Sequence, residues 1–158
     1  MNELIARLTA SPVRDNTQTN RTLTSDPVTF PLNRSIYADF SHDNEMIAIF
    51  SAMGLLNEKH KALDNTRRDA DTEWDTSKVV PFSSEMTIER LSCGRPRMGE
   101  EYVRIFINDA LQPLSFCGGD EDGLCRLSEF LDSQSYARND GEGDFEKCFL
   151  GAKDSLPR

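Results

Sequence analysis

The pattern of apolar residues predicts an α/β fold with a β-hairpin and flanking helices. Two observations carry that reading. A short apolar strand, 35–40, runs directly into a helix, 44–55, and two strand-like runs, 102–107 and 111–116, flank the turn residues Asn108-Asp109-Ala110. Amphipathic helical segments stand before and after these elements.

Taken in order, Leu4, Ile5 and Leu8 share one face at helical spacing and mark an opening helix. A polar, proline-punctuated stretch follows over 11–31 and reads as a surface loop. In the βα unit that comes next, Met46, Ile47, Ile49, Phe50, Met53 and Leu56 form a wide stripe, predicting a helix packed against a sheet. Residues 57–78 are densely charged, with Trp74 their large apolar anchor, and read as a second surface loop. Strand character resumes over 79–91, with Met86, Ile88 and Arg90 on one face and Glu85, Thr87 and Glu89 on the other. Asn108-Asp109-Ala110 marks the hairpin, because Asn and Asp tolerate the positive φ of a tight turn, and alternation puts Val103, Ile105 and Ile107 on one face with Arg104 and Phe106 on the other. Leu127, Phe130 and Leu131 predict a helix over 127–137.

Composition excludes several function classes. A net charge of −9 over 158 residues leaves no basic stripe for nucleic acid, and disfavours an anionic membrane surface. The longest apolar run, 46–56, is broken by Ser51 and too short to cross a bilayer. The first residues, with Glu3 and Arg7 among the apolar positions, are not a signal peptide. Cys93, Cys117, Cys125 and Cys148 contain no Cys-x-x-Cys pair, and His42 and His60 are remote from them in sequence, so no zinc pattern exists. Asp120, Glu121 and Asp122 lack the spacing of a calcium loop, and neither a metal nor another cofactor is expected. Cys117 and Cys125 bracket a Gly- and Asp-rich loop, and a disulfide there would stabilise by about 2–3 kcal/mol. Two sequons, at Asn20 and Asn33, together with such a bridge favour an oxidising, secretory compartment.

The segment Ile36-Tyr37-Ala38-Asp39-Phe40-Ser41-His42-Asp43-Asn44 places an imidazole and a carboxyl where the predicted strand meets the predicted helix. Open α/β sheets bind ligands at such ends, and helix N-termini favour anions. On spacing alone Asp43 reads first as a helix N-cap and His42 as a structural histidine. The segment closely resembles the His-Asp motif of fungal histidine acid phosphatases, the phytase-like branch above all. The likeness continues in order through Thr29-Phe30-Pro31-Leu32-Asn33, Met53-Gly54-Leu55-Leu56-Asn57, Val80-Pro81-Phe82-Ser83-Ser84, Val103-Arg104-Ile105-Phe106-Ile107-Asn108-Asp109, Pro113-Leu114 and Asp144-Phe145-Glu146-Lys147-Cys148-Phe149.

That resemblance implies a histidine phosphatase (phosphoglycerate-mutase-like) α/β sandwich and hydrolysis of phosphomonoesters such as phytate through a phosphohistidine. It makes Asp43 the proton donor to the leaving alcohol and puts His42 in the phosphate pocket, with Asn44 and Ser41 as weaker substrate contacts. It pairs Cys117 with Cys125 and leaves Cys93 and Cys148 as orphans whose partners lie upstream, and it implies a secreted intact protein. The family nucleophile is a histidine in Arg-His-Gly-x-Arg-x-Pro, and no Arg-His-Gly occurs here; His60, in Glu58-Lys59-His60-Lys61, reads as a surface residue. The phosphate-clamping arginines also fall upstream, so Arg34, Arg90 and Arg104 read as surface or sheet-face charges. Residues 1–158 are therefore expected to be one partial domain, the carboxyl-terminal portion of such an enzyme, with the missing amino-terminal part as its partner. Alone it should be inactive and fold poorly. The rival reading is a non-catalytic phosphate-binding or interaction protein derived from the enzyme.

Overall fold

The computed structural model describes residues 1–17, 19–56, 66, 75–94 and 99–149. Two compact units divide the chain: Met1–Tyr37 with Gln134–Arg158, and Ala38–Ser133.

In the first unit, α1 (Asn2–Thr9) buries Ala6 and Leu8, while Leu4 and Ile5 are half-buried. The helix stops because Ala10 turns left-handed, and the N–H of Ser11 donates to the Ala6 carbonyl at 3.0 Å. Arg7 lays its guanidinium over the rings of Phe30 and Tyr37, at 5.0 and 5.1 Å. The predicted loop at 11–31 is organised around Asp15. Its carboxylate accepts from Asn2 Nδ2 at 3.2 Å, from the Thr17 N–H and Thr19 Oγ1 at 2.6 Å, and from Thr17 Oγ1 at 2.5 Å. Burial alone would raise the Asp15 pKa, but those hydrogen bonds outweigh it and bring it down to about 2. Asn16 is held by both oxygens of Asp140, each at 2.8 Å. One helical turn, α2 (Arg21–Thr24), also forms inside this loop.

The second unit opens with α3 (Asp43–Met53). Its far end buries Phe50, Met53 and Leu55, and Gly54 takes a left-handed cap at φ 81° that a side chain would strain. Met46, Ile47 and Ile49 are only half-buried. One turn, α4 (Thr76–Val79), starts from an Asp75 cap that accepts from the Ser77 N–H. The rest of the expected loop at 57–78, with His60 and Trp74, lies outside the described residues apart from Thr66 and 75–78.

The sheet is antiparallel. Strand β1 (Met86–Cys93) pairs along its whole length with β2 (Glu100–Ile107), from Met86 opposite Ile107 to Cys93 opposite Glu100. The other edge of β2 pairs with β3 (Ala110–Leu111) and β4 (Cys125–Arg126). Val103, Ile105 and Ile107 are buried, as their alternation requires, and they share the core with Leu114, Cys125 and Phe130. On the opposite face Arg104 bonds Glu89 directly across the ladder. Helix α5 (Leu127–Ser133) packs on β2 and β4, with Phe130 6.3 Å from the Phe116 ring. The predicted 127–137 helix breaks at Gln134 and resumes as α6 (Ser135–Arg138); α7 (Asp144–Lys147) follows in the first unit.

Three sequence expectations need correction. Residues 35–40 form no strand; each backbone donor of a strand needs a ladder partner, and the described sheet is built entirely from 86–126. The strand expected to start at 79 starts at 86, because α4 and the left-handed Ser83 occupy the interval. The strand expected over 111–116 ends at Leu111, since Pro113 cannot donate to a ladder and Ser115–Cys117 coils into a 3-10 turn.

Candidate active site

The chain reaches the site without regular secondary structure, and Phe40 is 98% exposed. His42 then takes the N-cap position of α3 with extended backbone, and its carbonyl accepts from the Met46 N–H at 3.0 Å. This corrects the assignment of Asp43 as cap: Asp43 is the first helical residue, and among the described residues its Oδ1 accepts only from the adjacent Asn44 N–H, at 2.8 Å. Its carboxyl is exposed and, among the described residues, accepts from neither the Glu45 nor the Met46 N–H that an N-cap at this position would hold, so the capping reading loses its physical basis.

The carboxylate engaged at the start of α3 is instead Glu45, which the sequence reading passed over. It stands three residues after the cap, as in a capping box, and accepts from Ser41 Oγ at 2.5 Å with His42 Nδ1 3.9 Å away. The Ser41 hydroxyl, with the charge and backbone N–H of His42 behind it, holds the Glu45 carboxyl below its ordinary range. The signal was available: His42-x-x-Glu45 and Ser41-x-x-x-Glu45 are the spacings at which side chains meet on a first helical turn. Glu45 thus stands 3.9 Å from the imidazole, and Asp43 beside it accepts from the Asn44 N–H.

The structure brings His42, Asp43 and Asn44 together on one exposed turn, the His42 side chain being 83% exposed. A concavity of about 680 Å³ lies elsewhere in the unit, lined by Tyr102, Phe116, Asp120, Arg126 and Asp132 among others, and contains none of them. Arginines are engaged in ion pairs, Arg90 with Glu101, Arg104 with Glu89 and Arg126 with Glu100. Among the described residues no cluster of His, Cys, Asp and Glu could hold a metal ion. Cys117 and Cys125 form a disulfide, with Cα atoms 6.0 Å apart, while Cys93 and Cys148 are free and exposed. Both sequon asparagines, Asn20 and Asn33, are exposed.

The family description "Histidine phosphatase superfamily (branch 2)" matches residues 1–108, the stretch that carries the His42-Asp43 turn and the β1–β2 hairpin. The chain belongs to this superfamily. Within it, this histidine phosphatase chain is similar to Phytase A of Aspergillus fumigatus, 46% identical over 151 residues, and to Phytase A of Emericella nidulans, 44% identical over 150. Each match covers 94% of this chain and 31% of the relative. Phytase A of Penicillium oxalicum is 45% identical over 157 residues, covering 97% of this chain and 33% of the relative. The histidine phosphatase chain therefore spans about a third of the length of these curated relatives.

Proposed function

We propose that this chain supplies the protonating side of an acid phosphatase that cleaves phosphomonoesters, phytate among them. Asp43 is the general acid. It gives its proton to the bridging oxygen as the P–O bond breaks, so that the leaving group departs as an alcohol rather than an alkoxide. A carboxyl beside a phosphate anion is favoured in its protonated form, which suits work at acidic pH. His42 donates to a phosphoryl oxygen, and its imidazolium balances phosphate charge. Asn44 adds a weaker polar contact to the substrate.

The observation that supports the acid role is the freedom of Asp43. Glu45 accepts from the Ser41 hydroxyl before the first turn of α3, and among the described residues the Asp43 carboxyl bonds only to its neighbour's N–H. A side chain needed for capping could not also release and regain a proton at each turnover. The 158 residues contain no Arg-His-Gly, so the phosphohistidine and the phosphate-clamping cations are contributed by further sequence of the enzyme. The exposed site and the exposed Phe40 beside it fit a surface that such sequence covers. The Cys117–Cys125 bridge and the exposed sequons support a secretory route.

The test is a chimera in which these residues replace the matching third of A. fumigatus Phytase A. The 158-residue chain alone should release no phosphate at acid pH, and the chimera should be active. Asp43→Asn in the chimera should lower kcat by about 10²–10⁴-fold. Full turnover in that variant removes Asp43 from the role, and robust turnover by the isolated chain refutes the division of labour.

A further inference from the structure

We infer that Glu45 sets substrate preference at this site, disfavouring esters that carry further phosphates beside the one being cleaved. Its Oε2 accepts from Ser41 Oγ at 2.5 Å and lies 3.9 Å from His42 Nδ1. One oxygen makes both contacts, so the charge is directed at the His42 end of α3 and not out along the helix flank. Glu89, Glu100 and Glu101 are each matched by an arginine, whereas among the described residues Glu45 faces only the His42 imidazole. The Ser41 hydroxyl, with His42 behind it, holds the Glu45 carboxyl below its ordinary range, so it stays ionised further into acid than a free glutamate. A phosphoryl group on the far nitrogen of the imidazole is separated from Glu45 by little more than the ring. It lies within about one screening length, roughly 10 Å at 0.1 M salt. Each additional anionic group on the same substrate adds its own repulsion, whereas an ester of an uncharged alcohol meets the field once. The Glu45 side chain is 62% exposed, so each charge costs only about 1.5- to 3-fold in affinity. On a ring bearing several phosphates those factors compound.

This inference rests on the proposed docking of phosphate at His42 and not on the acid role of Asp43. Binding separates the two, because it needs no proton transfer. In the chimera, Glu45→Gln removes the charge and keeps an oxygen that can accept from Ser41. Calorimetry at low salt should show a cyclic polysulfate ester bound about 3- to 10-fold more tightly than by the parent chimera, and inorganic phosphate at most about twofold. Raising the salt to about 1 M, where the screening length is about 3 Å, should erase the difference. Glu45→Asp, which keeps the charge, should stay within about twofold of the parent on both anions. In turnover, Glu45→Gln should raise kcat/KM for phytate relative to an alkyl monophosphate by about 3- to 10-fold, a ratio in which any loss of folded protein cancels. Equal gains for both anions, or a difference that survives high salt, overturn the assignment. Full turnover by Asp43→Asn with the binding difference intact removes the acid and leaves Glu45 in its role. A chimera that binds neither anion overturns both.

Discussion

Replacing Asn108 tests how the hairpin is fixed within the second unit. Asn108 sits in the tight turn at φ 49°, followed by Asp109 at φ 63°. Its Oδ1 accepts from Ser84 Oγ at 2.9 Å and from the Glu85 N–H at 3.1 Å. Its Nδ2 donates to the carbonyls of Lys78 and Val79, each at 3.0 Å. One side chain thus ties α4 and the approach to β1 to the end of β2. Net bonds of this kind contribute about 0.5–1.5 kcal/mol each and add incompletely, giving roughly 1.5–3 kcal/mol for the set. Asn108→Gly removes the bonds without straining the left-handed backbone. Asn108→Ala adds about 1 kcal/mol of backbone strain on top. Amide hydrogen exchange in the chimera, followed at Ile88 and Ile105, should accelerate by about 10- to 150-fold in the glycine variant and about fivefold further in the alanine variant. Exchange within threefold of the parent in both variants would refute this account of the turn.

Three further outcomes follow from the same contacts. Asp15 has a folded pKa near 2 against an ordinary 3.8, so its contribution is present above the ordinary value and is lost as pH falls through about 2. Asp15→Ala should lower stability by about 1–2 kcal/mol in urea titrations from pH 7 down to pH 4, discounted for partial exposure, with the difference vanishing near pH 2. Replacing Cys117 and Cys125 by Ala should cost about 2–3 kcal/mol in the same measurement, since the bridge closes a short loop. Cys93 and Cys148 should both alkylate in the native chain without denaturant, and protection of either thiol would contradict their exposure.

The legible elements were those whose signal is local. Alternation at Val103, Ile105 and Ile107 placed the core face of β2, and Asn108-Asp109 placed the turn, because period and positive φ are written in residue type. The Cys117–Cys125 pairing was visible from its short, turn-rich interval and from family likeness. Ser35–Phe40 misled for the opposite reason: strand propensity there is genuine, but a strand exists only with a partner, and the described sheet offers none. The first turn of α3 was half-read. Residue preference pointed to Asp43 as cap, whereas the backbone put His42 in that position and Glu45 three residues on. That one-residue shift is what separates a structural carboxylate from an available one.

The most direct measurement is the leaving-group dependence of the chimera carrying Asp43→Asn. A general acid matters most where the departing oxygen is strongly basic, so cleavage of an alkyl phosphate should fall by about 10²–10⁴-fold while an aryl phosphate with an acidic phenol is nearly spared. Equal losses on both substrates would show that Asp43 holds the phosphate or the fold, and not the proton.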